Sequence, residues 1–328
     1  MSKKIKKIGV MTSGGDSPGM NAAIRSVVRS CTHYRIECVG IYRGYQGMIE
    51  GDFIKLDARG VSGIINKGGT ILKTARSKAF RTKAGRKKAH NQLIKAGIDA
   101  VVLIGGDGTF TGGMVFNKEF DFPFIGIPGT IDNDIFGTTF TLGYDTALNT
   151  VVEAVDKIRD TASSHSRLFF IEVMGRDAGF IALNTGIGAG AEEILIPEED
   201  LGLKRMLRSL QRSKRSGKSS SIVIVAEGDT IGKNVFELAE YVEKNLPQYE
   251  ARVSVLGHMQ RGGAPSCFDR VLASRMGLKA IELILDGEKN LMVNINNNII
   301  GVTDLEKAVK GKHKINQELI RVSDIMSI

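Results

Sequence analysis

Residues 100–109 read AVVLIGGDGT. An unbroken apolar run that is rich in β-branched residues is the pattern of a strand buried on both faces of a parallel sheet. It ends in Gly105-Gly106-Asp107-Gly108-Thr109, a turn too rich in glycine to extend the strand. In open α/β sheets, ligands bind beyond the carboxyl ends of strands, where such turns lie. The same grammar recurs outward from this point. Residues 124–127 (FIGI) form another continuous apolar strand, and residues 7–12 and 37–42 read as strands on either side of a helix. Pro18 suits the first turn of that helix, expected to run to about Thr32, because proline's missing N–H is no loss there. Leu148, Val151, Val152, Val155 and Ile158 keep helical spacing and predict a long helix over about 144–161. Strand signals return at 168–173, 193–196, 222–226 and 252–256, with helices between them. This alternation predicts an α/β protein of two entwined doubly wound domains, each with a mostly parallel central sheet. No proline- or serine-rich linker and no short repeat divides the chain. The first domain is expected at 1–143, with a segment at about 256–305 crossing back to it. The second is expected at 144–255, and 306–328 is expected to form a C-terminal tail without a readable motif.

Composition narrows the function. The chain has 328 residues, 42% of them hydrophobic and 25% charged, enough for sizeable cores and unlike a disordered chain. No stretch approaches the roughly 20 apolar residues of a membrane helix. The N-terminal apolar run ends at Ser13-Gly14-Gly15, too soon for a signal-peptide core. Cys31, Cys38 and Cys267 are odd in number and scattered, without disulfide or zinc spacing, so a cytoplasmic location is expected. The net charge of +9 raises nucleic-acid binding, with residues 73–88 as its best candidate. However, tryptophan is absent and aromatics are 6%, so stacking platforms are poorly supplied. Neither nucleic acid nor membrane is expected as a partner.

Three glycine loops carry the chemistry. Thr12-Ser13-Gly14-Gly15-Asp16 joins a strand to a helix, where backbone N–H groups can cradle phosphate. The loop 105–109 adds to such a cradle one hard oxygen ligand, Asp107, which suits magnesium bound together with phosphate. The third, Pro128-Gly129-Thr130-Ile131-Asp132-Asn133-Asp134, places two carboxylates on one side of an extended segment. One can accept a proton from an attacking hydroxyl while the other orients the site. Each loop also has a plain structural reading, as a βα turn, a helix cap or an Asx turn. Arg76, Arg167, Arg176, Arg252 and Arg261 fall near strand ends or glycines, and their planar forks suit phosphate. His258 lies with Arg261 in the glycine-bracketed stretch 257–263.

Together these segments resemble the ATP-dependent 6-phosphofructokinase family, of bacterial type. The resemblance runs from Lys7 to about Gly287, through GVMTSGGDSPGMNAAIR, NKGGTILKTAR, LIGGDGT, GIPGTIDNDI, SSHSR, EVMGRDAG, AEG and VLGHMQRGG. It implies that the first domain binds ATP and the second fructose 6-phosphate. Gly15, Tyr45, Arg76, Ser77, Gly106, Asp107, Gly108 and Thr109 would hold ATP, with Asp107 on Mg2+. Thr130, Ile131 and Asp132 would meet the carbon-1 hydroxyl of the sugar. Asp132 would be the proton acceptor and Asp134 would support it. Met174, Gly175 and Glu227 would contact the sugar. Arg167, Arg252, His258, Met259, Gln260 and Arg261 would line its phosphate end, with Arg167 and Arg252 reaching in from a neighbouring subunit of a homotetramer. Arg176 and Arg76 would neutralise the transferring phosphoryl group.

The resemblance also bears on the donor and on control. Members that use pyrophosphate carry aspartate where this chain has Gly108 and lysine where it has Gly129, so glycine at both implies ATP. Arg25, Arg29, Arg159, Gly190, Glu192 and Lys218 match an effector site for ADP and phosphoenolpyruvate. Arg25 and Arg29, spaced i to i+4, share one helix face. Ala58, Ser216 and Ser220 depart from the basic or histidine residues of relatives there. Three other readings stay open: a pyrophosphate-dependent or other-sugar-phosphate kinase on the same scaffold, a silent nucleotide-binding regulator, and a nucleic-acid-binding protein.

Overall fold

The computed structural model describes residues 5–165, 167–199, 202–216, 221–228 and 234–327. Lys218 and Ser220, and Ser166 of the SSHSR segment, lie outside the described residues. The strands are β1 (Lys7–Thr12), β2 (Glu37–Ile41), β3 (Phe53–Leu56), β4 (Ala100–Gly105), β5 (Phe124–Pro128), β6 (Leu168–Val173), β7 (Glu193–Leu195), β8 (Ser221–Ala226), β9 (Ala251–Val255), β10 (Leu291–Asn296) and β11 (Ile299–Asp304). The helices are α1 (Met20–His33), α2 (Gly44–Glu50), α3 (Lys83–Lys95), α4 (Asp107–Phe120), α5 (Tyr144–His165), α6 (Phe180–Gly188), α7 (Gly202–Arg215), α8 (Val235–Asn245), α9 (Cys267–Leu285), α10 (Leu305–Lys310) and α11 (Gln317–Met326). None of the described helices is long and apolar enough to cross a membrane.

The chain divides into two compact units. The first comprises residues 1–131, 135–146 and 261–313, and the second 132–134, 147–260 and 314–328. The first holds a sheet of order β11-β10-β5-β4-β1-β2-β3, parallel through β10-β5-β4-β1-β2 and closed at either edge by an antiparallel strand. Its central strands β1, β4 and β5 are buried on both faces. Val102, Ile104, Ile125 and Ile127 pack into one core with α1 and α9. Val101, Leu103 and Phe124 pack into the other with Phe110 and Phe116 of α4. This is the period-2 division of a continuous apolar strand between two cores. The second unit holds the fully parallel sheet β7-β8-β6-β9. Phe170, Val223 and Val225 on one of its faces pack with Met206 and Leu210 of α7 and Leu238 and Val242 of α8.

The helix expected from Pro18 starts instead at Met20. Gly19 precedes it at φ +97°, a left-handed conformation that a proline-led first turn does not take. The starts of α5 and α9 are fastened to each other. Asp269, fully buried, accepts hydrogen bonds from the backbone N–H groups of Gly143 and Thr146, both 2.9 Å, and from Thr146 Oγ1 at 2.5 Å. Burial first, and the charge of Asp145 in addition, push its carboxyl up from 3.8 to about 6, against these three hydrogen bonds. The folded chain therefore holds a proton that the unfolded chain releases at lower pH. The resulting stabilisation is complete below about pH 4 and is lost as pH rises through about 6. Wild type should gain about 1 kcal/mol over Asp269→Asn at pH 5 relative to pH 7. Urea denaturation at the two pH values checks this, and an unchanged or opposite difference refutes it.

Candidate active site

In the first unit β5, β4 and β1 are neighbours, and each releases a glycine loop at its carboxyl end. Between β4 and β1 the strand order reverses direction, the switch point where doubly wound sheets bind ligands. The two loops at that point are tied together: Thr109 Oγ1 donates to the Ser13 carbonyl at 3.0 Å. Gly105 makes the tie possible, since a β-carbon there would stand 2.4 Å from Thr109 Oγ1 and 2.5 Å from the Ser13 carbonyl. The second loop runs straight into α4, whose first residue is Asp107. The Thr109 and Phe110 N–H groups of this first turn donate to the Gly106 carbonyl, at 2.9 and 3.2 Å, and the positive end of the helix dipole there favours anions. Gly108, exposed in the same turn, has nothing within 4 Å of the position of a β-carbon, which leaves the backbone open to a ligand.

Among the described residues no three His, Cys, Asp or Glu side chains form a metal cage. A single carboxylate at a helix end that favours anions fits magnesium, which takes one or two carboxylates with phosphate oxygens and water. Arg261 lies over the first loop, donating to the Asp16 carbonyl at 3.2 Å. Its Nη1 is 2.7 Å from where a Gly15 β-carbon would be. Tyr45 is buried, stacked on Phe80 with ring centroids 3.9 Å apart, and its hydroxyl donates to the Thr109 carbonyl at 2.5 Å. It thus holds the start of α4 from behind. Ser77 caps a short 3-10 turn through the N–H of Phe80 and donates to Gln46, while Arg76 is exposed in the loop before it.

In the second unit β8, β6 and β9 are neighbours and likewise release three loops at their carboxyl ends. Met174-Gly175-Arg176 follows β6, Glu227 follows β8, and the 3-10 turn Gly257–Arg261 follows β9. Glu227 accepts from the N–H groups of Gly175 at 3.3 Å and Arg176 at 2.7 Å. Gln260, fully buried, accepts from the Met174 N–H at 3.2 Å, so the loops brace one another. Gly175 sits at φ +151°, with the Ala178 carbonyl 2.3 Å from the place of a β-carbon, so only glycine fits. Arg176 also has a left-handed backbone, φ +57°, an uncommon state for a side-chain-bearing residue and one found at ligand sites. Its guanidinium, 61% exposed, reaches to 3.8 Å from Oδ2 of Asp132, which is 2% exposed. A buried carboxylate thus faces an exposed cation, an arrangement able to accept a proton beside a bound anion. Asn133, between Asp132 and Asp134, takes φ +53°, which asparagine tolerates. His258 and Met259 stand in the exposed turn after β9.

Arg167 and Arg252 are placed differently. Both guanidiniums pair with Glu250, at the amino ends of β6 and β9. The six residues of β6 separate Arg167 from Met174 by roughly 20 Å, at about 3.3 Å per residue. They cannot join Met174, Glu227 and His258 of the same chain at one ligand. The residues matched to an effector site also divide. Arg25 and Arg29 lie on α1 of the first unit, where burial and then the like charge of Arg29 lower the Arg25 pKa. In the second unit, Arg159 donates to the carbonyls of Ala189 and Gly190 at 2.6 and 2.9 Å, closing the end of α6. Glu192 is buried and accepts from the Ile222 N–H at 2.6 Å.

Sequence reading passed over Asp269 and Thr146. The spacing Ser266-x-x-Asp269 is a helix-start signature that could have flagged the former. Nothing local marks Thr146.

The loops and their chemistry have counterparts in known proteins. The Phosphofructokinase family model matches residues 7–284. The ATP-dependent 6-phosphofructokinase 2 of Bacteroides thetaiotaomicron is 50% identical over 324 residues, covering 99% of both chains. The ATP-dependent 6-phosphofructokinase 1 of Thermus thermophilus is 52% identical, covering 99% of this chain and 100% of the other. A solved structure of phosphofructokinase from Saccharomyces cerevisiae superposes with a TM-score of 0.90 at 35% identity over 98% of this chain, which spans about half (48%) of the yeast chain. With a family match over most of its length and relatives at half identity end to end, the chain belongs to the phosphofructokinase family.

Proposed function

We propose that the chain transfers the γ-phosphoryl group of ATP to the carbon-1 hydroxyl of fructose 6-phosphate, giving fructose 1,6-bisphosphate and ADP. The observation that carries this reading is the buried Asp132 carboxylate beside the exposed Arg176 guanidinium. The full-length relatives named ATP-dependent 6-phosphofructokinase support it.

Phosphoryl transfer asks a protein mainly to position groups and to neutralise charge. The turn 106–109 takes the nucleotide phosphates on its backbone, with Tyr45 and Ser77 holding its surroundings and Gly15 serving ATP from the facing loop. Asp107 would hold Mg2+, which would supply charge neutralisation to the nucleotide phosphates. Asp132 accepts the proton of the carbon-1 hydroxyl as its oxygen bonds to the γ-phosphorus and the bond to the ADP oxygen breaks. Arg176 and Arg76 offset the charge on the transferring oxygens. Thr130, Ile131 and Asp134 fix the loop that presents Asp132. Met174, Gly175, Glu227, His258, Met259, Gln260 and Arg261 serve the sugar and its phosphate. Arg167 and Arg252, at the opposite end of their own sheet, serve a neighbouring copy in the proposed homotetramer, and the cytoplasm is its proposed location.

Gly108 favours ATP over pyrophosphate, because a carboxylate there would meet the α-phosphate. ADP and phosphoenolpyruvate would act through Arg25, Arg29, Arg159, Gly190, Glu192 and Lys218. A coupled assay offering ATP or pyrophosphate with fructose 6-phosphate tests the reading. Turnover with ATP is expected to exceed that with pyrophosphate, and a preference for pyrophosphate overturns it. The same assay at subsaturating sugar phosphate should respond to both effectors, and a flat response removes the effector site.

A further inference from the structure

Two buried residues outside the reacting set connect to the base-bearing loop through hydrogen bonds at both ends of the segment 141–146. Asp269 holds Gly143 and Thr146, as described above. Thr146 Oγ1 works in both directions: it donates to Asp269 Oδ2 at 2.5 Å and accepts from the Ser266 N–H at 2.9 Å. Only a hydroxyl can do both. Ser266 in turn caps α9 by accepting from the Asp269 N–H at 3.2 Å and donates to Asp145 at 2.5 Å. The segment so fixed carries the next links. Leu142 donates its N–H to the Pro128 carbonyl at 2.8 Å and forms an isolated parallel bridge with Gly129. Thr141 Oγ1 donates to the Thr130 carbonyl at 2.6 Å. Gly143, at φ +98°, lies so close to the first loop that a β-carbon would stand 2.7 Å from that of Ser17.

We propose that Asp269 and Thr146 are positioning residues for phosphoryl transfer, acting through residues 141–143 to set the loop 128–131 that leads directly into Asp132. The proposal rests on the assignment of Asp132 as proton acceptor. The physical case is one of precision. Beyond β5 the loop that presents Asp132 is held by the Gly129 N–H donating to the Gly105 carbonyl at 3.0 Å, by this bridge and by the Thr141 side chain. Asp269 and Thr146 anchor it to the start of α9, whose Gly277 packs so tightly on α1 that a β-carbon would stand 2.5 Å from Ser26 Cβ. The anchor is therefore rigid, and both side chains are sealed from water, at 0% and 6% exposure.

The test compares Thr146→Val, Thr146→Ser and wild type, with kcat taken per folded enzyme well below each melting temperature. Valine keeps the shape and removes the hydroxyl, and serine keeps the hydroxyl. Misplacing reacting groups by about 1 Å can cost about 10²-fold in rate. Thr146→Val should therefore lower kcat by about tenfold or more while KM for ATP stays within about threefold, and Thr146→Ser should restore wild-type kcat. A valine variant with kcat within about twofold of wild type overturns the proposal, as does a loss that serine does not restore. Hydrogen exchange over residues 126–146 reads the brace without substrate. Faster exchange in the valine variant than in the serine variant is expected, and equal exchange overturns it. Wild-type turnover is measured first, and its absence sinks the proposed function while exchange still judges the brace.

Discussion

Asp132→Ser should reduce turnover by about 10²–10³ or more and leave ATP affinity within about twofold. Asp132 is the carboxylate that the fold hides most carefully among those proposed for the reaction: it is 2% exposed and pairs with the Arg176 guanidinium, which is itself exposed. A carboxylate in that setting can take a proton from an attacking hydroxyl. Serine keeps an oxygen, one bond shorter, but its hydroxyl does not act as a base at neutral pH. The effect should therefore fall on kcat, with KM for ATP nearly constant, because the nucleotide is assigned to loops 12–16 and 105–109. The change also removes the counter-charge of Arg176, which can tighten sugar phosphate binding and so depress KM for that substrate while kcat falls. Steady-state kinetics and calorimetric ATP binding check this result. A variant with turnover within about tenfold of wild type would place the base elsewhere.

Gly108→Asp separates folding from donor choice. The position is exposed, has nothing within 4 Å of a β-carbon, and lies in the first turn of α4 at an ordinary backbone φ. Aspartate there improves helix propensity over glycine and sits at the positive end of the helix dipole. Stability should be unchanged or raised by about 0.5 kcal/mol. The new carboxylate would nevertheless face the α-phosphate of ATP. Two unit charges about 4 Å apart repel by about 1 kcal/mol in water and about 4 kcal/mol near a protein surface. ATP turnover at low nucleotide should thus fall between about fivefold and nearly a thousandfold, while pyrophosphate, which has no α-phosphate, is spared. Thermal unfolding with kcat/KM for each donor checks both halves. Full ATP turnover in a folded variant rejects this placement of the α-phosphate.

The three readings that competed with a phosphofructokinase differ in what now bears on them. Family membership leaves the nucleic-acid reading resting on net charge alone. Much of that charge is spread over solvated helix faces, such as Lys204, Arg208 and Arg215 of α7. The silent-regulator and pyrophosphate readings are decided by the donor assay.

The strands and the glycine loops could be read from the sequence because their causes are local. A run such as AVVLI can satisfy its side chains only inside a two-sided sheet, and the glycines that follow allow a turn that other residues would block. Hence β1, β4, β5 and β6 fall within a residue of their sequence limits. Proline preference would start α1 at Pro18, two residues before Met20, because it says nothing of the left-handed Gly19. The motif residues were also legible, but their grouping was not. His258 and Arg261 are three apart in sequence, yet Arg261 belongs to the first unit and lies on Gly15 and Asp16. Arg167 and Arg252 look like companions of Met174 and His258, yet a strand's length separates them within one sheet. Asp269 and Thr146 meet across 123 residues of chain. Periodicity, propensity and turn chemistry act over a few residues, so the sequence by itself determined the strands, the loops and the residue types in them. Which loops lie side by side depends on strand order, and which buried carboxylate finds which hydroxyl depends on how distant helices pack. Those long-range pairings were decided only by the tertiary structure, where burial leaves each polar group no partner but the one folded against it.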